Sequence, residues 1–131
     1  MYSGRVGEKG EAIRARGATP ILFMTWAYAD KPEMIEILSR EYISAGKEND
    51  MKVVPAGLAF SRSLKNRPEL ALHASDRRHP SLAGTYLAAC TVLASVYHLD
   101  PRGSGYAAGL PEADARFLQT IAWETVRELA Q

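Results

Sequence analysis

The chain has 131 residues, 47% of them hydrophobic and 24% charged, fractions that exclude a disordered, collagen-like or disulfide-stapled chain and point to one globular domain. Sixteen Lys and Arg against 15 Asp and Glu leave a net charge of +1, too little to gather nucleic acid or an anionic membrane, so neither is expected as a partner. A single cysteine, Cys90, excludes an internal disulfide, and its presence marks no oxidising compartment.

The N-terminal Met1-Tyr2-Ser3-Gly4-Arg5-Val6-Gly7 lacks the apolar core of a signal peptide. The longest weakly polar run, from Leu87 to Tyr97, is far short of the ~20 residues that span a bilayer. The chain therefore reads as soluble, with its compartment open. Residues from Glu8 to Arg16 favour a helix, and Gly17 stands where a helix-terminating glycine belongs. Thr19 to Trp26 is a compact apolar run without alternation, which predicts a central parallel strand buried on both faces. After Asp30-Lys31-Pro32, the residues Met34, Ile35, Leu38, Tyr42 and Ile43 recur at helical spacing until Gly46. Lys52 to Ala59 supplies a second strand, and the 25 residues between Trp26 and Lys52 suffice for a helical crossover, giving a βαβ unit. Pro55 disturbs that strand, because an interior proline removes a ladder donor. Ser81 to Tyr97, preceded by Pro80, predicts a buried helix with Leu82, Tyr86, Leu87, Cys90, Leu93 and Val96 on overlapping faces. Pro101-Arg102-Gly103-Ser104-Gly105 is a break. A last helix follows from Pro111 to Leu129, with Phe117, Leu118, Ile121, Trp123 and Val126 as packing residues.

The chemistry-bearing stretch is Asp76-Arg77-Arg78-His79-Pro80-Ser81. A histidine acting as general base needs one ring nitrogen toward a nucleophile and the other held by an acceptor, and a carboxylate three residues earlier in a tight turn supplies that acceptor. The competing reading makes Asp76 a turn or cap residue and His79 a surface histidine.

The stretch resembles the last signature block of SGNH/GDSL-type serine hydrolases, in which Asp-x-x-His-Pro-Ser precedes a long helix. Thr19 to Ala27, Val54-Pro55-Ala56-Gly57-Leu58-Ala59 and Phe117 to Val126 are similar to the family's later strands and closing helix. The resemblance implies the C-terminal portion of a three-layer α/β/α, flavodoxin-like fold with parallel strands, so that residues 1–131 form a single partial domain. It implies His79 as general base and Asp76 as its orienting carboxylate. Their expected substrate is a small-molecule or carbohydrate acyl ester, hydrolysed through a serine acyl-enzyme without a cofactor. The family's Gly-Asp-Ser, glycine and Gly-x-Asn-Asp blocks are absent, and Gly46-Lys47-Glu48-Asn49-Asp50 reads as a helix end and turn. With no nucleophile or oxyanion donors, the chain alone is expected to be inactive, and a sheet edge left bare would invite self-association. A non-catalytic remnant or interaction module is the alternative.

Other candidates read more plainly. Ser61 and Ser63 follow the second strand, where ligands often bind, but lack a nucleophile elbow. His73, Asp76 and His79 are spaced by three, yet the proline after His79 breaks a continuous helical metal site. Trp26 is read as a core aromatic, His98 as a complement to a helix C-terminus, Arg77 and Arg78 as solvated charges, and Cys90 as a small core residue.

Overall fold

A computed structural model describes residues 2–130. The fold is mixed α/β and mostly helical, with five helices and two parallel strands among the described residues. Helix α1 spans Tyr2–Ala15 and stops at Gly17, whose φ of 83° is the left-handed conformation that glycine adopts freely. Strand β1, Ile21–Phe23, follows, and helix α2, Met34–Asn49, crosses over to strand β2, Lys52–Val54. The strands pair in parallel, Ile21 opposite Lys52 and Phe23 opposite Val54. The βαβ unit expected from the hydrophobic pattern is present.

The strands are shorter and less buried than the sequence suggests. Ile21 and Phe23 are 42% and 37% exposed, so β1 is covered on one side only. There Leu22 joins the small cluster of Val6, Ala45 and Met51. Helix α2 also runs past Gly46 to a left-handed Asp50 at φ 51°. Gly46 serves packing instead of termination, since a Cβ there would lie 2.6 Å from Val53 Cγ2.

Pro55 resolves differently from the strand reading. The ladder ends at Val54, and Pro55 opens helix α3, Ala56–Asn66, where a missing N–H is no loss. The Gly57 amide donates to the Met24 carbonyl at 3.0 Å. A side chain at Gly57 would collide with the Thr25 carbonyl, so this glycine lets α3 start directly against the end of β1. Ser61 and Ser63, expected on a loop, therefore sit on a helix.

Helix α4, Leu82–Val96, is capped by Ser81, whose hydroxyl accepts from the Gly84 amide at 3.1 Å. Helix α5, Glu112–Leu129, closes the chain. These two helices share the most extensive interface and pack with α3. Phe60, Leu72, Leu87 and Leu118 are at most 2% exposed at the centre of this larger core. Helix α4 is buried on one side only, because Leu82 remains 54% exposed.

The α5 packing face differs in part from expectation. Leu118 and Ile121 are buried as read, together with Gln119, Ala122 and Thr125, whereas Trp123 is only partly covered. Gln119 is a buried polar hub. Its amide donates to Tyr86 Oη at 2.9 Å and to the Ser104 carbonyl at 3.2 Å, and it accepts from the Gly103 amide at 3.2 Å. It thereby pins the glycine-rich break to the core.

Candidate functional site

Between α3 and α4 the chain makes a hairpin-like loop whose roots meet at a bridge between His73 and Pro80. The Ala74 amide donates to the His79 carbonyl at 2.7 Å, and the Ser81 amide to the Leu72 carbonyl at 2.9 Å. At the tip, Asp76 Oδ1 accepts the backbone N–H groups of Arg78 at 3.0 Å and His79 at 2.9 Å. This is the local geometry by which an aspartate replaces a backbone turn. Arg77 takes φ 64° to close the turn, a left-handed conformation unfavourable for a side chain of its kind.

The turn leaves Asp76 Oδ2 free, and it accepts from His79 Nδ1 in a close contact. Nδ1 therefore carries the proton in the neutral ring, and Nε2 is the basic nitrogen. The His79 side chain is 82% exposed and that of Asp76 46%, so Nε2 is open to an incoming group. The His79 hydrogen bond, followed by the two backbone donors, holds the Asp76 carboxyl well below the usual carboxylate range. The two residues singled out in the sequence are thus in contact.

The segment after β1 braces this turn. Trp26 Nε1 donates to the Arg78 carbonyl at 2.9 Å, the Ala29 amide donates to the Arg77 carbonyl at 2.9 Å, and the Arg78 guanidinium lies 4.3 Å from the Tyr28 ring centroid. Trp26 stacks on Phe60 at 4.4 Å with nearly parallel planes, and Phe60 meets the His73 ring edge-on at 5.7 Å. His73 Nε2 donates to the Ala27 carbonyl at 2.9 Å. Sequence reasoning placed Trp26 in the core and missed its hydrogen bond, and it missed the role of His73 as a strut. The only signal for either was an aromatic at a strand end and a histidine six residues before His79.

The remaining candidates are not brought to the dyad. Ser63 is fully buried, and its hydroxyl has no partner among the described residues. Ser61 is partly buried and lines a cavity beside α3. No hydroxyl among the described residues hydrogen bonds to the His79 ring, and no cluster of three His, Cys, Asp or Glu there is arranged to hold a metal ion. His98 does not serve the end of α4 directly. Lys52 Nζ donates to the Ser95 carbonyl at 2.9 Å and to His98 Nε2 at 3.2 Å, so the lysine complements the helix terminus. Cys90 is buried beside Tyr86, and burial pushes its thiol up. No helix among the described residues is long and apolar enough to cross a membrane.

No family model matches the chain, and no curated protein matches it. Among solved structures, a DUF4886 family protein from Bacteroides uniformis superposes with a TM-score of 0.86 at 19% identity, over 99% of this chain and 57% of that one. The chain therefore spans little more than half the length of that structure, and the likeness establishes the fold alone. These findings overturn the assignment to SGNH/GDSL hydrolases. The physical reason lies in the motif, three of whose residues have a local structural task here. Asp76 closes the turn, Pro80 joins the bridge and Ser81 caps α4. Such a stretch meets the needs of any chain that leads a tight turn into a helix.

Proposed function

We propose that Asp76 and His79 are the orienting carboxylate and general base of an acyl-ester hydrolase whose serine nucleophile and oxyanion donors lie outside the described residues. The observation that carries this reading is the buttressed dyad, in which Nδ1 is held by Asp76 and Nε2 is left exposed. Trp26, Ala29 and the His73 bridge hold the backbone of the turn on either side of His79, which supports a fixed position for the imidazole. The greater length of the structural neighbour supports a larger functional unit. In that unit β1 and β2 belong to a wider parallel sheet of a three-layer, flavodoxin-like α/β/α domain. No cofactor takes part, and the substrate is a small-molecule or carbohydrate acyl ester.

The test compares this chain with the chain joined to polypeptide encoded beside it, using short p-nitrophenyl esters and a serine-directed fluorophosphonate. Hydrolysis and labelling are expected only in the longer protein. There His79→Ala should lower kcat by about 10²- to 10⁴-fold, and Asp76→Asn should have a smaller effect, because backbone groups retain part of the orientation. Activity of the chain alone that disappears in Ser61→Ala or Ser63→Ala would refute a nucleophile from elsewhere. Full activity in His79→Ala would refute the base.

The second reading, an interaction module, is favoured by one observation: Ile21, Phe23 and Leu82 are all substantially exposed, and β1 pairs on one edge only. Pairing through that edge gives self-association. Sedimentation that shows only monomer at all practical concentrations excludes it.

A further inference from the structure

The strip Ala27-Tyr28-Ala29 borders two features at once. Tyr28 and Ala29 contact the Arg77-Arg78 part of the dyad's turn. All three residues also line a cavity of about 390 Å³ between the start of α2 and the face of α3. Its apolar lining comes chiefly from Tyr28, Pro32, Ile35, Phe60 and Leu64, and His73, the strut of the dyad's loop, lines it too. The strip thus joins the cavity to the turn through Arg77 and Arg78, while Asp76 and His79 themselves lie outside the cavity's lining.

The geometry points to this cavity as the acyl-chain site of the hydrolase, taking a neutral aliphatic acyl group; the inference rests on the function proposed above. Volume limits the chain. An apolar cavity of roughly 150 Å³ holds one benzene ring, so the space here admits a chain of about six to ten carbons and lies at the small end of ligand sites. Charge selects against a free acid. Glu33, Glu36 and Lys65 are the charged residues of the lining, all exposed and joined by no ion pair among the described residues. Two carboxylates against one ammonium disfavour a carboxylate ligand, so an ester's uncharged acyl group is accepted while the acid product is released.

Inert 1-alcohols from butanol to octanol are the probe, titrated into the full chain with the methyl resonances of Ile35 and Leu64 as reporters. Saturable shifts are expected at both residues, with affinity rising up to about fourfold per added methylene. Octanoate should bind roughly two- to fivefold more weakly than 1-octanol. Leu64→Trp, which fills the cavity from α3, and Ala29→Phe, which narrows it from an exposed position, should each abolish octanol binding. Absence of saturable shifts, affinity indifferent to chain length, or wild-type binding by both variants would overturn the site. Octanoate binding as tightly as octanol would overturn its preference for a neutral chain.

His79→Ala should titrate like the wild type, which separates the two readings. In the longer, active protein, Leu64→Trp should raise KM for the octanoate ester at least about tenfold more than KM for the acetate ester. An unchanged chain-length profile would overturn the acyl assignment. If no form of the protein hydrolyses any ester, the dyad reading fails and the acyl assignment with it, while the alcohol titration still decides whether the cavity binds chains.

Discussion

Phe60 is the residue through which the core and the candidate site depend on one another. It is 2% exposed, its ring stacks on Trp26 and meets His73 edge-on, and those two residues hold opposite sides of the turn that carries the dyad. Truncation to alanine removes a full aromatic side chain and leaves a hole that the surrounding helices fill only in part, a loss of about 3 to 5 kcal/mol. The two ring pairs, at roughly 0.5 to 1.5 kcal/mol each beyond burial, place Phe60→Ala toward the upper end. For a chain of this size each kcal/mol lowers Tm by about 3 to 6 °C, so a fall of roughly 10 to 25 °C is expected. Leu118→Ala, at a fully buried position on α5, should cost a comparable ~2 to 5 kcal/mol and serves as the control. Urea unfolding gives both stabilities. The proton resonance of His79 Nδ1–H then separates them: it should weaken or vanish in Phe60→Ala and persist in Leu118→Ala under conditions where both variants are folded. If Phe60→Ala proves too unstable to hold its fold, Phe60→Leu supplies the same comparison with a milder loss. A loss below about 2 kcal/mol, or an unaltered His79 signal in the folded variant, would refute the role of Phe60 as the link.

Asp76 should remain ionised well below pH 4. Any stability it contributes is complete above its unfolded pKa of about 3.9 and is lost as pH falls toward its depressed folded value; in His79→Ala the carboxyl carbon titration should move upward yet stay below the usual range, because the Arg78 and His79 amides remain as donors. Trp26→Phe retains an aromatic ring against Phe60 and deletes the bond to the Arg78 carbonyl, a loss of about 0.5 to 1.5 kcal/mol that should appear as faster hydrogen exchange at the Ala29 amide. Gln119→Leu leaves the Gly103 amide and Tyr86 hydroxyl short of a partner. It should destabilise by about 1 to 3 kcal/mol and speed proteolysis between Pro101 and Leu110. Ser63→Ala removes a buried hydroxyl with no partner among the described residues and should be neutral or stabilising by up to about 1 kcal/mol in thermal denaturation.

The parts of the fold visible in the sequence are those with a strong periodic signal. The stripe from Met34 to Ile43, the uncharged run after Ser81 and the amphipathic run after Pro111 all fold as helices close to their expected limits. Helix α3 escaped notice because Val53-Val54-Pro55-Ala56-Gly57-Leu58-Ala59 is apolar throughout, and such a run does not declare where a three-residue strand gives way to a helix. The Asp76–His79 contact was legible because both residues lie within one turn. Its bracing was not: Trp26 is 52 residues from Arg78, and Ala27 is 46 from His73. Pairings at that separation leave no local spacing to read. The cavity beside α3 was hidden for the same reason, since its walls come from segments that only the tertiary fold assembles.

The turn from Ala74 to His79 is fixed by a few hydrogen bonds at its roots and by Trp26, Tyr28 and Ala29 at its tip, with no helix or strand ladder of its own among the described residues. Opening it requires the rupture of those few contacts, none of which belongs to the interface of α4 with α5. Its opening free energy is therefore set separately from that of the global transition. A sample can pass every spectroscopic check of helical content while a fraction of its molecules hold the imidazole out of register. Warming should then loosen the Asp76–His79 contact before the melting midpoint, and its loss would report on this turn and the residues that brace it.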